Sequence, residues 1–145
     1  LIRKDAEKFG DSDYILYIHT KGASKQSDNR YENIISWRHL MNYFNIEKVK
    51  NVFKLFEKTE FNTYGVILKG HFYSGNFWWA NSSYIKQLPT IDEIKFPKIP
   101  PILSIRHNCE FWIGMGNGKL KSLWNSYINV YERHLHRYDT MEYKK

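Results

Sequence analysis

Four short clusters in this sequence carry side chains suited to chemistry. The first is His19-Thr20-Lys21-Gly22-Ala23-Ser24. An imidazole, an ammonium, a flexible glycine and hydroxyls in one loop are well made to hold phosphate: Lys acts as a point charge, and Gly lets backbone N–H groups approach. The spacing is not that of a P-loop, and the plainer alternative is a solvent loop whose His caps a strand. The second cluster is Trp37-Arg38. Trp37 fits an apolar stripe, and Arg38 sits beside that stripe, within reach of the His19 loop or simply in solvent. The third is the run "GHFYSGNFWWANSSY". His71, Ser74, Gly75 and Asn76 crowd in front of Trp78 and Trp79, and sugar or base rings stack on exposed aromatic faces. Two adjacent strand residues point to opposite faces, so one indole is expected in the core and the other at a site, or both in core layers. The fourth is Arg106-His107-Asn108-Cys109-Glu110-Phe111-Trp112. A carboxylate among aromatics can become a general base; equally, Arg106 can pair with Glu110. For metals, the histidines are scattered and neither H-E-x-x-H nor C-x-x-C occurs, so the pattern gives no metal site.

The elements that must position these residues are read from periodicity. "LIRKDAEKFG" reads as the end of a helix stopped by Gly10, with the start of the natural protein expected upstream of Leu1. "DYILYIHT" predicts a strand from about Tyr14 to Ile18, buried on both faces as in a parallel sheet. Ligands in open α/β sheets bind at the carboxyl ends of such strands, which is where the His19 loop lies. Ile34, Trp37, Met41 and Phe44 have helical spacing. Val49, Val52, Phe53 and Phe56 predict a second amphipathic helix. "TYGVIL" predicts a short strand. "NFWWANSSYIKQLP" predicts a strand running into a helix capped by Ser82 or Ser83 and followed by Pro89. "FPKIPPIL" is expected to be extended. A short helix with Asn108 as its N-cap, ended by glycines, and a tail helix from Ser122 to His136 complete the order, which is that of an α/β domain.

Composition bounds the function. The 145 residues predict one domain. The formal net charge of +7 favours an anionic partner, whether nucleic acid, a phosphate-bearing small molecule or a membrane surface. However, 16 lysines outnumber 6 arginines and no run of five like charges occurs, which argues against a nucleic-acid reader. Cys109 is the only cysteine, so no intrachain disulfide is available, and a reducing, cytoplasmic setting is expected. No apolar run is long enough to span a membrane, and no signal peptide is apparent.

Taken in order, "YILYIHTKGAS", "SWRHLM", "YGV…GHFYSGNFWWANSSYIKQLP" and "R…CEFWIG" resemble a family of glycosyltransferase-like proteins of bacteria, algae and giant DNA viruses, related to the rhamnan-synthesis group. The resemblance covers roughly residues 12 to 114. It implies a GT-A-like (Rossmann-like) α/β fold with a mixed sheet flanked by helices. Here that fold would be a partial domain lacking the N-terminal nucleotide-binding half, residues 1–145 being one domain or its C-terminal half. It implies transfer of a hexosyl or deoxyhexosyl group from a nucleotide sugar to a glycan or lipid-linked acceptor, in polysaccharide or glycoprotein glycan synthesis. GT-A enzymes usually hold a divalent metal, Mn or Mg, with a D-x-D motif. His19-Thr20-Lys21 stands in its place, so Lys21 with His19 is expected to offset the diphosphate charge directly. The resemblance assigns His19, Lys21, Gly22, Ser24 and Arg38 to donor phosphate. It assigns His71, Ser74, Gly75, Asn76, Trp78, Trp79 and Arg106 to sugar or acceptor, and Glu110 to the base. The competing reading is a non-catalytic carbohydrate-binding module. Nucleic acid is not an expected partner, nor is an integral membrane segment expected.

Overall fold

The computed structural model describes residues 2–20, 29–90, 93–94, 109–128, 132 and 135–144. Their order is α1 (Ile2–Ala6), β1 (Tyr14–Tyr17), α2 (Tyr31–Asn42), a π turn (Tyr43–Glu47), α3 (Val49–Lys58), β2 (Thr63–Val66), β3 (Leu68–Lys69), β4 (Phe72–Tyr73), β5 (Trp78–Asn81), α4 (Ser82–Gln87), a 3-10 turn (Trp112–Gly114), β6 (Leu120–Trp124) and α5 (Thr140–Tyr143). Residues 21–28, with Lys21, Gly22 and Ser24, lie outside the described residues, as do Arg106, the Asn108 cap and the extended "FPKIPPIL" segment.

The main sheet is mixed, in the order β1-β5-β2-β6. β5 runs antiparallel to both β1 and β2, while β2 and β6 are parallel. β3 and β4 form a separate two-stranded hairpin. The chain is therefore a mixed α/β structure with a four-stranded sheet flanked by helices. The period of two along β5 sorts the tryptophans. Trp78 stands in a row with Tyr17 and Gly65, its partners on either side, while Trp79 stands with Leu16 and Tyr64.

The first face packs Trp78, Ala80, Tyr73, Tyr84, Ile85 and Ile113 with Ala6 of α1. The second face packs under α2 and α3. Val52 and Phe56 meet Tyr64 and Trp79, and Trp37, Leu40, Met41 and Tyr43 meet Val66 and Phe77. α3 thus turns its apolar stripe inward as its spacing predicts, although Phe53 stays 36% exposed, stacked on Tyr14 at 5.5 Å.

The π turn serves a purpose beyond packing. A helix leaves its last carbonyls without intrahelical partners. Here the Asn45 carbonyl accepts a hydrogen bond from Trp79 Nε1 at 2.8 Å, so an indole from the sheet caps the helix end.

Several expectations are corrected. Among the described residues β1 does not lie in a parallel pair: it is an edge strand antiparallel to β5, with no strand on its other side, and all four of its residues are half-buried. The tail helix from Ser122 is overturned, since 120–124 is strand and 125–128 is not helical. Pairing with β2 overrides the local helical spacing, and Tyr127, predicted on its apolar stripe, is fully exposed. α1 ends at Ala6, several residues before Gly10, in a turn closed by Lys8 N–H to Asp5 O and Phe9 N–H to Ala6 O. α4 is capped by neither serine: Asn81 Oδ1 accepts the Tyr84 N–H at 3.1 Å.

Candidate functional site

The first face of the sheet opens into a cleft of about 810 Å³. Its floor is aromatic. Tyr17 and Trp78, opposite each other across β1 and β5, stack at 5.1 Å and 22°. Trp112 adds a third ring, 6.4 Å from Trp78 and tilted at 44°. Trp112 is fixed by its Nε1, which donates to the Pro89 carbonyl at 2.8 Å. The rim is charged in both signs, lined by Arg3 and Lys4 of α1, by Glu7 just after it and by Glu93. Arg3 donates through Nε to Lys86 O at 3.2 Å and pairs with Glu93 at 3.5 Å. Glu93 also accepts the Thr90 N–H at 2.6 Å. That hydrogen bond, together with the nearby Arg3 charge, holds its carboxyl below the usual carboxylate range.

The Ser74-Gly75-Asn76 turn forms the inner lip. Gly75 has φ +88° and Asn76 has φ +56°, both in the left-handed region that Gly and Asn tolerate best. A side chain at Gly75 would collide with Met41 and sit 3.3 Å from the Trp37 ring, so α2 presses directly on this turn. Asn76 lines the cleft, and its Oδ1 accepts from Trp78 Nε1 at 2.9 Å. Its Nδ2 makes no hydrogen bond among the described residues. Behind the turn, His19 Nε2 lies 3.0 Å from the Gly75 carbonyl. A carbonyl only accepts, so Nε2 carries the proton. The His19 ring meets Phe77 edge-on at 5.2 Å and lies 6.1 Å from Tyr17. One turn therefore joins the carboxyl end of β1 to the start of β5.

The structure brings together His19, Gly75, Asn76 and Trp78 of the predicted set. Trp79 is on the opposite face, 8% exposed beneath α3, and does not line the cleft. Ser74 is buried and donates its N–H to Ile67 O, a structural role. His71 is exposed at the β3–β4 hairpin, its backbone seated against Gly114, and is not a lining residue. Arg38 follows Trp37 on α2, half-buried, and no hydrogen bond among the described residues ties it to His19. Glu110 is half-buried in the helical stretch 109–111; its neighbour Cys109 lines the cleft, but Glu110 itself does not. Tyr17 and Arg3 were not singled out by the sequence, and Trp112 stood in the fourth cluster without a role of its own. Trp112 carried the one available signal, as an aromatic beside Glu110.

The residues at the cleft do not suit a divalent metal. Among the described residues no three side chains of His, Cys, Asp or Glu converge into a ligand set, and the acids lining the cleft, Glu7 and Glu93, share its rim with Arg3 and Lys4. Among those residues, too, no helix is long and apolar enough to cross a membrane. No family model, curated protein or solved structure matches the chain.

Proposed function

We propose that this chain is a glycosyltransferase-like protein that holds sugar in the aromatic cleft. The observation that carries the reading is the pair of half-buried rings Tyr17 and Trp112, packed on Trp78, which is itself only 2% exposed, beside the Asn76 amide. Flat apolar rings suit the C–H face of a pyranose, and an unused amide suits its hydroxyls. The cleft lies at the carboxyl end of β1, where His19 leads into Lys21, and this supports a donor phosphate placed at that end. In the reaction, an acceptor hydroxyl attacks the anomeric carbon as the bond to the diphosphate breaks. The hydroxyl proton passes to Glu110, and Lys21, His19 and Arg38 offset the charge on the departing nucleotide. The mixed α/β sheet flanked by helices is compatible with a GT-A-like half-domain.

A second reading, a non-catalytic carbohydrate-binding module, is favoured by one observation: Glu110 is not among the residues lining the cleft. Calorimetry with UDP- and dTDP-sugars and with neutral oligosaccharides separates the two. The transferase reading predicts nucleotide-sugar binding weakened about tenfold by Trp112→Ala, close to 1.4 kcal/mol, and turnover abolished by Glu110→Gln. Oligosaccharide binding that ignores nucleotide sugars and is unmoved by Glu110→Gln would establish the module instead. If Trp112→Ala leaves every sugar affinity intact, the cleft is not the sugar site.

A further inference from the structure

β1 is an edge of the main sheet, and hydrogen bonds at the end of β5 show which way its backbone groups point. Ser82 N–H donates to the Asp13 carbonyl at 2.8 Å, and Asn81 N–H donates to the Asn62 carbonyl at 3.1 Å. Trp78, Ala80 and Ser82 therefore turn their backbone N–H and C=O toward β1, while Trp79 and Asn81 turn theirs toward β2. These groups alternate along a strand. In β1, those of Ile15 and Tyr17 face β5, whereas those of Tyr14 and Leu16 face outward. Among the described residues no strand or backbone group meets the outward set.

Proteins commonly shield such an edge with lysine, proline or a bulge. The run Tyr14-Ile15-Leu16-Tyr17-Ile18 has no lysine or proline, and its pairing with β5 is regular. Apolar side chains stand uncovered beside it: Ile18 is 47% exposed, and Phe53, stacked on Tyr14, is 36% exposed. The ends of the strand differ in charge. Asp11 and Asp13 precede it, and His19 and Lys21 follow it in sequence. Asp11 already holds Lys86 at 2.7 Å, which leaves Asp13 as the acid next to the strand. An antiparallel neighbour of the same sequence sets acid against base at both ends.

We propose that β1 pairs antiparallel with β1 of a second copy of this chain, about a two-fold axis at Leu16. Outward residues must face outward residues, and centring on Leu16 gives the longest match of apolar on apolar. Tyr14 then lies opposite Ile18 of the second copy, on the helical face beside Phe53, and Asp13 lies opposite His19. The four strands of each copy join into one continuous sheet. On the cleft face, Tyr17 lies opposite Ile15 of the second copy, so each chain extends the apolar floor of the other's cleft. The two-fold closes the assembly, because it uses the same edge of both copies.

Sedimentation velocity of the full chain over a concentration series, with amide hydrogen exchange at the same concentrations, tests the proposal. A single monomer–dimer equilibrium is expected. The Tyr14 and Leu16 amides should exchange about tenfold more slowly in concentrated than in dilute protein, following the dimer fraction. Those of Ile15 and Tyr17, already facing β5, should not change. Ile18→Lys alters an exposed side chain, so the fold and its Tm should be kept, while the chain should stay monomeric at every concentration. Ile18→Val should dimerise as the native chain does. A native chain that is monomeric throughout, growth beyond the dimer, or a dimer that survives Ile18→Lys overturns the proposal. So does an exchange rate at Tyr14 and Leu16 indifferent to concentration, which puts any interface elsewhere or shows the edge covered by another segment.

Discussion

Gly75→Ala is the most informative single substitution, because one residue links three parts of the structure. Its carbonyl receives His19, its φ of +88° sets the lip of the cleft, and its missing side chain admits α2. Two costs follow from geometry. Placing a Cβ in the left-handed region costs about 1–2 kcal/mol. The new methyl would also strike Met41, coming within 3.1 Å of its Cε, and sit 3.3 Å from the Trp37 ring. Met41 is fully buried and cannot swing into solvent. Overpacking of this kind costs about 1–3 kcal/mol. The sum is about 2–5 kcal/mol, which for a chain of this size lowers Tm on the order of 10 °C. Urea and thermal unfolding followed by circular dichroism read the loss. The Gly75→Ala, Met41→Ala double-mutant cycle should show a favourable coupling, because the second change clears the first methyl. A loss below about 0.5 kcal/mol, within the range of ordinary surface substitutions, would refute the claim that α2 pins the lip through this glycine.

Other substitutions probe separate parts of the argument. Trp79→Phe keeps an aromatic ring but strips the Asn45 carbonyl of its donor, and should cost about 1–3 kcal/mol in urea unfolding; an unchanged midpoint would deny the indole its capping role. Asn81→Ala removes the cap on Tyr84 N–H and should cost about 1 kcal/mol, whereas Ser83→Ala should cost less, reversing the order that the sequence suggests. The folded carboxyl of Glu93 lies below its ordinary 4.5, held there chiefly by the Thr90 N–H. Its stabilising contribution is therefore complete above that value and is lost as pH falls through the folded value. Glu93→Gln should flatten the acid limb of Tm against pH below about pH 4.5, and superimposable limbs for the two proteins would contradict the assignment.

The parts of this fold that were legible in the sequence are those in which local pattern and final environment agree. α3 is the plainest case: Val52 and Phe56 stand one turn apart, and both are buried. The β5–α4 passage was legible because Trp78-Trp79-Ala80 favours strand and the residues after Asn81 favour a capped turn. The identity of β1 as a strand could be read, but its direction could not, since the choice between parallel and antiparallel pairing is made by β5, over sixty residues away. Leu123 and Tyr127 have helical spacing, and only the β2 edge that recruits Leu120–Trp124 removes that option. The same limit applies to the site. Period two says that the tryptophans part company, but the face that becomes the cleft is decided by Tyr17, Trp112 and Arg3, which come from distant stretches of the chain. Asn76 and His19 were legible because a polar pair beside glycine and a strand-end imidazole are unusual locally; Arg3, one of several ordinary basic residues, gave no such signal.

The division of the tryptophans across the sheet also has an optical consequence. Of the five in the chain, Trp78 and Trp112 line the cleft, whereas Trp37 of α2 and Trp79 of β5 lie on the opposite face, and Trp124 packs against the cluster that holds Trp37. A molecule entering the cleft therefore quenches or shifts only part of the indole emission. Unfolding alters all five together. Emission from the unlabelled protein can thus distinguish occupation of the cleft from loss of the fold, and a chain in which Trp78 and Trp112 are replaced by Phe would be silent to the first event alone.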